Sequence, residues 1–194
     1  LEFRRVLFRS TVLDFLGGLS GSDNTHSGAY DVAMFANIPG VTMLGPTSAD
    51  EYLTDLAWAT LPAGADGAPD GPVVIRVPGE AILAAEREPS LLPVTGGRVQ
   101  VGHPQSTVST APTSGSDPLA WRINQTGSRV AIAGLGNAYP LAEQVAAALT
   151  AEHSMKATVI DPRQCTSLDA DALESLRDGH ELVVTLEDGQ LEGG

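Results

Sequence analysis

Val130-Ala131-Ile132-Ala133-Gly134-Leu135-Gly136 is a short apolar run that breaks on glycine. Just downstream, Leu141, Val145 and Leu149 recur at every fourth position of an alanine-rich stretch. The first pattern is that of a buried strand and the second that of a helix with one apolar stripe. The pair then repeats. Ala157–Ile160 reads as a strand, Ser167-Leu168-Asp169 opens a helix through Leu173 and Leu176 with Asp169 as its N-cap, and Leu182–Leu186 reads as a third strand. Strand–helix alternation with short connections specifies an α/β fold with a parallel sheet covered by helices. Gly134-Leu135-Gly136 invites a dinucleotide-loop reading, but Tyr139 stands where that loop needs Gly or Ala. A tight strand-to-helix turn is the better expectation.

Upstream, Val73–Val77 is a continuous β-branched run around Arg76, the mark of a strand covered on both faces. Val41–Leu44 reads as a short apolar strand. Ser48-x-x-Glu51 is a capping box, and the helix it opens places Leu53, Leu56, Ala57 and Thr60 along one face. Tyr30–Asn37 has a helical pattern that Pro39-Gly40 stops. Thr11–Phe15 reads as a strand remnant, and Gly17–Gly28 as a Gly/Ser-rich loop. A linker runs from Pro78 to about Gly97. The segment 103–118 is rich in Ser, Thr, Pro and Gly and reads as a flexible insertion between short strands near Arg98–Val101 and Trp121–Asn124. Structureless segments of that length are uncommon inside a compact domain, so it is expected to project from one. The division expected is therefore 11–78, a linker 79–128 and a second domain 129–194. Residues 1–10 are basic and aromatic, unlike the rest. Their end, Leu-Phe-Arg-Ser, looks like a translated sequencing adapter, and they are left out of the fold reading. The abrupt end at Glu192-Gly193-Gly194 adds to the expectation of a piece cut at both ends.

The net charge of −13 makes nucleic acid and anionic membrane surfaces poor partners. No apolar run approaches the ~20 residues that a spanning helix needs. Cys165 is the single cysteine, so no internal disulfide can form and a reducing, cytoplasmic setting is expected. Asn124-Gln125-Thr126 fits a glycosylation sequon but reads as chance without a secretory signal.

Chemistry concentrates in the loop Gly21-Ser22-Asp23-Asn24-Thr25-His26-Ser27-Gly28. Histidine is the side chain best suited to moving protons near neutral pH; a solvated loop residue is the bland alternative. Asp23 can be a substrate-facing carboxylate or an Asx-turn residue. Arg76 sits in an apolar strand, so its charge must be paired or reach an opening. It can fork onto a substrate phosphate or carboxylate, or form a structural ion pair with a carboxylate such as Glu80. Cys165 has only Arg163 as a nearby basic residue and reads as an inert thiol. His103, His153 and His180 show no metal-ligand spacing.

The ordered series Thr25-His26, Ile38-Pro39-Gly40-Val41, Gly45-Pro46-Thr47 and Arg76-Val77-Pro78 resembles the second half of the pyrimidine-binding domain of transketolase-like thiamine diphosphate enzymes. Within them it is most similar to the 1-deoxy-D-xylulose-5-phosphate synthase branch. Thr166-Ser167-Leu168-Asp169 and Thr185-Leu186-Glu187-Asp188 resemble the Pro-Leu-Asp turn and the Glu-Glu strand end of that family's C-terminal domain. The resemblance implies a transferase that decarboxylates a 2-oxo acid donor such as pyruvate and joins the remainder to an aldehyde acceptor, acting as a homodimer. It implies His26 as the catalytic proton handler and Ser22, Asp23, Thr25 and Arg76 as substrate-binding residues. It also implies that thiamine diphosphate and Mg²⁺ are held mainly by parts absent from these residues, so that the chain alone is inactive and binds the cofactor weakly. Ser22 occupies the family's aspartate position, with Asp23 one residue later. Phe15 and Gly79 stand where the synthases carry arginines. The β subunit of a 2-oxoacid dehydrogenase shares several of these motifs, and a non-catalytic dimerisation module is a further alternative.

Overall fold

The computed structural model describes residues 28–62, 64–79, 82 and 119–191. The strands expected at Thr11–Phe15 and Arg98–Val101, and the 103–118 insertion, lie outside these residues.

The first part runs α1 (Asp31–Phe35), β1 (Thr42–Leu44), α2 (Ala49–Ala59) and β2 (Val73–Ile75). Gly40, at φ +80, makes the left-handed turn that separates α1 from β1. β1 and β2 pair in parallel, with Thr42 opposite Val73 and Leu44 opposite Ile75. Leu44, Val73 and Ile75 pack with Trp58 and Ala59 of α2. The second part runs β3 (Arg122–Gln125), β4 (Arg129–Gly134), α3 (Tyr139–His153), β5 (Thr158–Asp161), α4 (Ala170–Arg177) and β6 (His180–Leu186). Its sheet has the order β3-β5-β4-β6. β4 is parallel to both β5 and β6, as the alternation predicts. β3 departs from it: this edge strand is antiparallel to β5 and places Arg122 opposite Asp161. A single antiparallel edge is common on such sheets, and here Arg122 Nη2 lies 2.6 Å from Asp161 Oδ2 across it.

The Gly134 turn is as tight as expected. A Cβ on Gly134 would lie 2.8 Å from the Tyr139 Cα, so only glycine lets α3 start so close to the end of β4. Asp169 caps α4 by accepting from the Ala172 N–H at 2.9 Å, and its other oxygen accepts from Trp121 N.

Two helix faces differ from expectation. On α3 the buried side chains are Tyr139, Ala142 and Ala146, whereas Leu141 and Val145 remain 50% and 38% exposed. The helix lies close to the sheet, so alanines fill the space there, and of the expected stripe Leu149 packs, partly buried, against this core. On α2 the buried side chains are Glu51, Thr54, Asp55, Trp58 and Ala59, and not Leu53, Leu56, Ala57 and Thr60. Its acidic face turns inward because arginines of the second part await it there.

The two parts meet along a seam of backbone bonds. Gly45 N donates to Arg163 O at 2.8 Å and Cys165 N to Met43 O at 3.1 Å. Leu44 and Gln164 form an antiparallel bridge. The outer edge of β1 is thus continued by the segment after β5. Beside it, Leu135 packs with Val32, Met43 and Val74.

Candidate functional site

Arg76 follows β2 and is 4% exposed. Its Nε donates to Asp31 Oδ2 and its Nη1 to Asp188 Oδ1, both at 2.8 Å. Asp31 opens α1, where a carboxylate also suits the helix N-terminus, and Asp188 lies in the turn after β6. Asn137, in the turn before α3, donates to Asp188 Oδ2 at 3.1 Å and accepts from Gly79 N at 2.9 Å. Burial opposes the Arg76 charge, but Asp188 and Asp31 outweigh it and hold the guanidinium's pKa above its ordinary value. Burial pushes the Glu187 carboxyl up, against the pull of Arg76. Arg76 Nη2 is buried with no hydrogen-bond partner among the described residues.

A second charged cluster bridges the two parts. Arg122 Nη2 lies 2.6 Å from Asp161 Oδ2 and 3.3 Å from Glu51 Oε2. Arg163 Nε lies 3.5 Å from Glu51 Oε1. Thr47 Oγ1 is 2.8 Å from Glu51 Oε2 and 3.2 Å from Asp161 Oδ2. Glu51 also accepts from Thr47 N at 2.8 Å while Ser48 Oγ accepts from Glu51 N. The capping box is therefore shifted, with its carboxylate binding one residue before the cap. Asp55 is buried beside this group, and burial followed by the Glu51 charge raises its pKa. Burial and Glu51 push Asp161 up to about 7.

The titration of Asp161 is linked to folding. An unfolded aspartate titrates near ~3.9, so between there and about 7 the folded chain holds a proton that the unfolded chain has released. The stability this contributes is full below the unfolded value and is lost as pH rises towards 7. Asp161→Asn removes the titration. Relative to the parent, the variant is expected to gain stability as pH rises from about 4 to 7, by at most ~1.4 kcal/mol for each pH unit crossed. Urea midpoints at a series of pH values check this; a parent–variant difference independent of pH refutes it.

A cavity of about 660 Å³ opens at the carboxyl ends of β4 and β6. The sheet order places it where the connections from adjacent parallel strands diverge, the usual position of a ligand crevice in such folds. Val32, Trp121, Leu135, Cys165, Glu187 and Gln190 are among its lining residues. Burial pushes the Cys165 thiol up to about 12, so it is the inert thiol expected. His180 is a satisfied core histidine, bonded to Thr158 Oγ1 and Leu176 O. Among the described residues no group of three His, Cys, Asp or Glu is arranged to hold a metal ion. No described helix is long and apolar enough to cross a membrane.

Of the expected site residues, Ser22, Asp23, Thr25 and His26 lie outside the described residues, and Arg76 lies within them. Its carboxylate partners among the described residues are Asp31 and Asp188; Glu80, the partner the sequence suggested, lies outside them. Neither carboxylate was read from the sequence as its partner, because only the fold brings them to Arg76.

This fold and these motifs are similar to those of transketolase-like proteins: residues 119–194 match the family model "Transketolase, C-terminal domain". Within that class the chain is similar to 1-deoxy-D-xylulose-5-phosphate synthases. It is 32% identical over 184 residues to the synthase of Acidobacterium capsulatum, covering 92% of this chain and 24% of that protein. It is 32% identical over 177 residues to that of Rhodobacter capsulatus, covering 91% and 23%. The chain thus spans about a quarter of the length of these curated relatives. Two solved structures share its fold. One is titled a split-gene transketolase, an inactive beta4 tetramer, with TM-score 0.59, 20% identity and coverage of 88% of this chain and 46% of that one. The other is a transketolase mutant from Pichia stipitis, with TM-score 0.54, 14% identity and coverage of 95% and 23%.

Proposed function

We propose that this chain contributes the second half of the pyrimidine-binding domain and a C-terminal domain to a thiamine diphosphate-dependent transferase. Its substrates in this reading are a 2-oxo acid such as pyruvate and an aldehyde. The observation that supports it is 32% identity to a named synthase across 92% of the chain. The synthase names of these relatives weigh against the dehydrogenase β-subunit alternative. Thiamine diphosphate, when bound, supplies the nucleophilic carbon and electron sink for decarboxylation. In this reading the Mg²⁺–diphosphate site belongs to other parts of the complete enzyme. The chain by itself is accordingly read as inactive.

The chain's own residues bind and orient substrate and move a proton. His26 transfers a proton at a substrate oxygen, and Ser22, Asp23 and Thr25 hold substrate around it. Arg76 is read as meeting a substrate anion through Nη2, which has no partner among the described residues. The assembly proposed is a homodimer, placed in the cytoplasm; a related transketolase forms a tetramer by its title.

The test is an assay of the complete enzyme containing this sequence for carbon dioxide release from pyruvate in the presence of aldehydes. No release with any aldehyde refutes the reading. The same assay carries a specificity prediction. Phe15 and Gly79 replace two arginines of the synthases, and each charge-assisted contact is worth roughly 1.5–3 kcal/mol. The enzyme is expected to discriminate weakly between glyceraldehyde 3-phosphate and an unphosphorylated aldehyde. A kcat/KM preference above ~10³ for the phosphate, abolished by Arg76→Ala, contradicts this expectation.

A further inference from the structure

The cavity of about 660 Å³ at the carboxyl ends of β4 and β6 lies within the ~300–1,000 Å³ range of small-molecule pockets. Its walls come from both parts of the fold. Val32 belongs to α1, whereas Trp121, Leu135 and Leu186 belong to the second part. These side chains give it an apolar body. The ionisable groups among its described lining residues are Cys165 and Glu187. The Cys165 thiol, pushed up to about 12, carries no charge near neutral pH. Glu187 directly follows β6, and its carboxyl is exposed. That carboxyl folds back over Gly189, where a Cβ would lie 2.8 Å from Oε1. No arginine, lysine or histidine stands among the described residues that line the cavity. The described cation that acts on Glu187 is Arg76, and Asp31 and Asp188 already grip that guanidinium at 2.8 Å each. Three carboxylates thus share one cation beside an apolar hollow.

We propose that this cavity is a binding site for a small amphipathic amine, with its apolar body against Trp121, Leu135 and Leu186 and its ammonium group at Glu187. Charge decides the class of ligand. An anion placed here would meet Glu187 with no lining cation among the described residues to offset it. A 2-oxo acid or a phosphorylated aldehyde is such an anion, so the cavity is a second site and does not depend on the substrate reading above. An ammonium group supplies the counter-charge instead. Burial holds the Glu187 carboxyl above its ordinary value, and Asp188 and Asp31 add to this against the pull of Arg76. A bound cation offsets that cost, because an opposite charge nearby favours the ionised carboxylate. Trp121 adds an indole ring to the wall, a group whose face attracts ammonium ions. The net charge of −13 draws cations to the molecule as a whole. Because the walls belong to both parts, the occupant bridges them.

The test titrates the 194-residue chain with phenethylamine, 2-phenylethanol and phenylacetate, which share one apolar body and differ in charge, followed by NMR. Phenethylamine is expected to shift the amide signals of Ala133, Leu135 and Leu186 and the indole N–H of Trp121. It is expected to bind about 5-fold tighter than the alcohol, the worth of one partly exposed ion pair, and phenylacetate is expected to bind weakest. Glu187→Gln is expected to bring the amine down to the affinity of the alcohol and to leave the alcohol unchanged. Glu181→Gln removes an exposed carboxylate that pairs with Arg129 and is expected to preserve the ranking. If Glu187→Gln fails to fold, the ranking of the probes on the parent chain decides the matter. Nα-acetyl-lysine amide carries its ammonium on a peptide-like body and is expected to bind more weakly than phenethylamine. Tighter binding of that probe would assign the cavity to a segment of protein chain and overturn the proposal. Equal affinities for the charged and neutral probes, an amine preference that survives Glu187→Gln, shifts confined to other residues, or no shift at millimolar probe would overturn it as well. None of these readouts depends on turnover, so an enzyme that releases no carbon dioxide overturns the functional reading alone.

Discussion

Arg76→Ala is expected to destabilise the chain by about 3–5 kcal/mol, the usual result of removing one member of a buried ion pair. The loss exceeds the worth of the contacts themselves. Asp31 and Asp188 are 7% and 19% exposed in the intact cluster, and truncation leaves both without their cation. Each then has to be hydrated or protonated in a space built for neither. Domains are stable by only about 5–15 kcal/mol, so the variant is expected to sit close to unfolding at room temperature. Arg76→Lys is expected to recover part of the loss, since a single ammonium can meet one carboxylate but cannot fork between two. Urea denaturation followed by circular dichroism measures both variants. Arg129→Ala serves as the control, because its pair with Glu181 is exposed and such pairs contribute little. Equal midpoints for Arg76→Ala and the parent would show that the cluster contributes nothing net.

The second large effect concerns His26. In the complete enzyme proposed above, His26→Ala is expected to lower turnover by ~10²–10⁴-fold, the range for a positioned proton-transfer group. Cofactor affinity is expected to hold, because the proposed role is towards substrate. The pH profile separates this role from mere packing: loss of a titrating group removes one limb of the kcat profile, whereas a packing defect scales the profile without changing its shape. Unchanged turnover would return His26 to the solvated-loop reading. The Arg76 and His26 predictions also separate from each other, since the first is read in folding and the second in turnover.

The strand–helix order of 130–186 was legible because period and punctuation agree there. The first apolar run ends on Gly134, and Asp169 stands one residue before its helix. The faces of the helices were less legible. The apolar stripe on α3 selected Leu141, Val145 and Leu149; Leu149 packs against the core, but close approach to the sheet at Gly134 buries Ala142 and Ala146 in place of the other two. Hydrophobic periodicity records which residues can be buried, and packing distance decides which are. On α2 the error is electrostatic. Glu51 and Asp55 are buried against Arg122 and Arg163, which lie far downstream in the chain, and no local pattern announces such partners. Arg76 was readable as a charge that had to be paired, because an apolar strand tolerates nothing else. Which carboxylates pair with it depends on where β6 ends, and that is a property of the whole sheet.

The seam along β1 also acts as a guard. β1 is a strand of only three residues, and its outer edge presents amide and carbonyl groups that would serve as a template for any extended chain. The segment Arg163–Cys165 occupies that edge with Gly45 N to Arg163 O, Cys165 N to Met43 O, and the bridge between Leu44 and Gln164. Separation of the two parts would uncover Thr42-Met43-Leu44 together with the apolar residues beneath it, an aggregation-prone combination. The C-terminal domain in this architecture protects its neighbour from self-association, a duty independent of any chemistry, and one that favours making both parts as a single polypeptide.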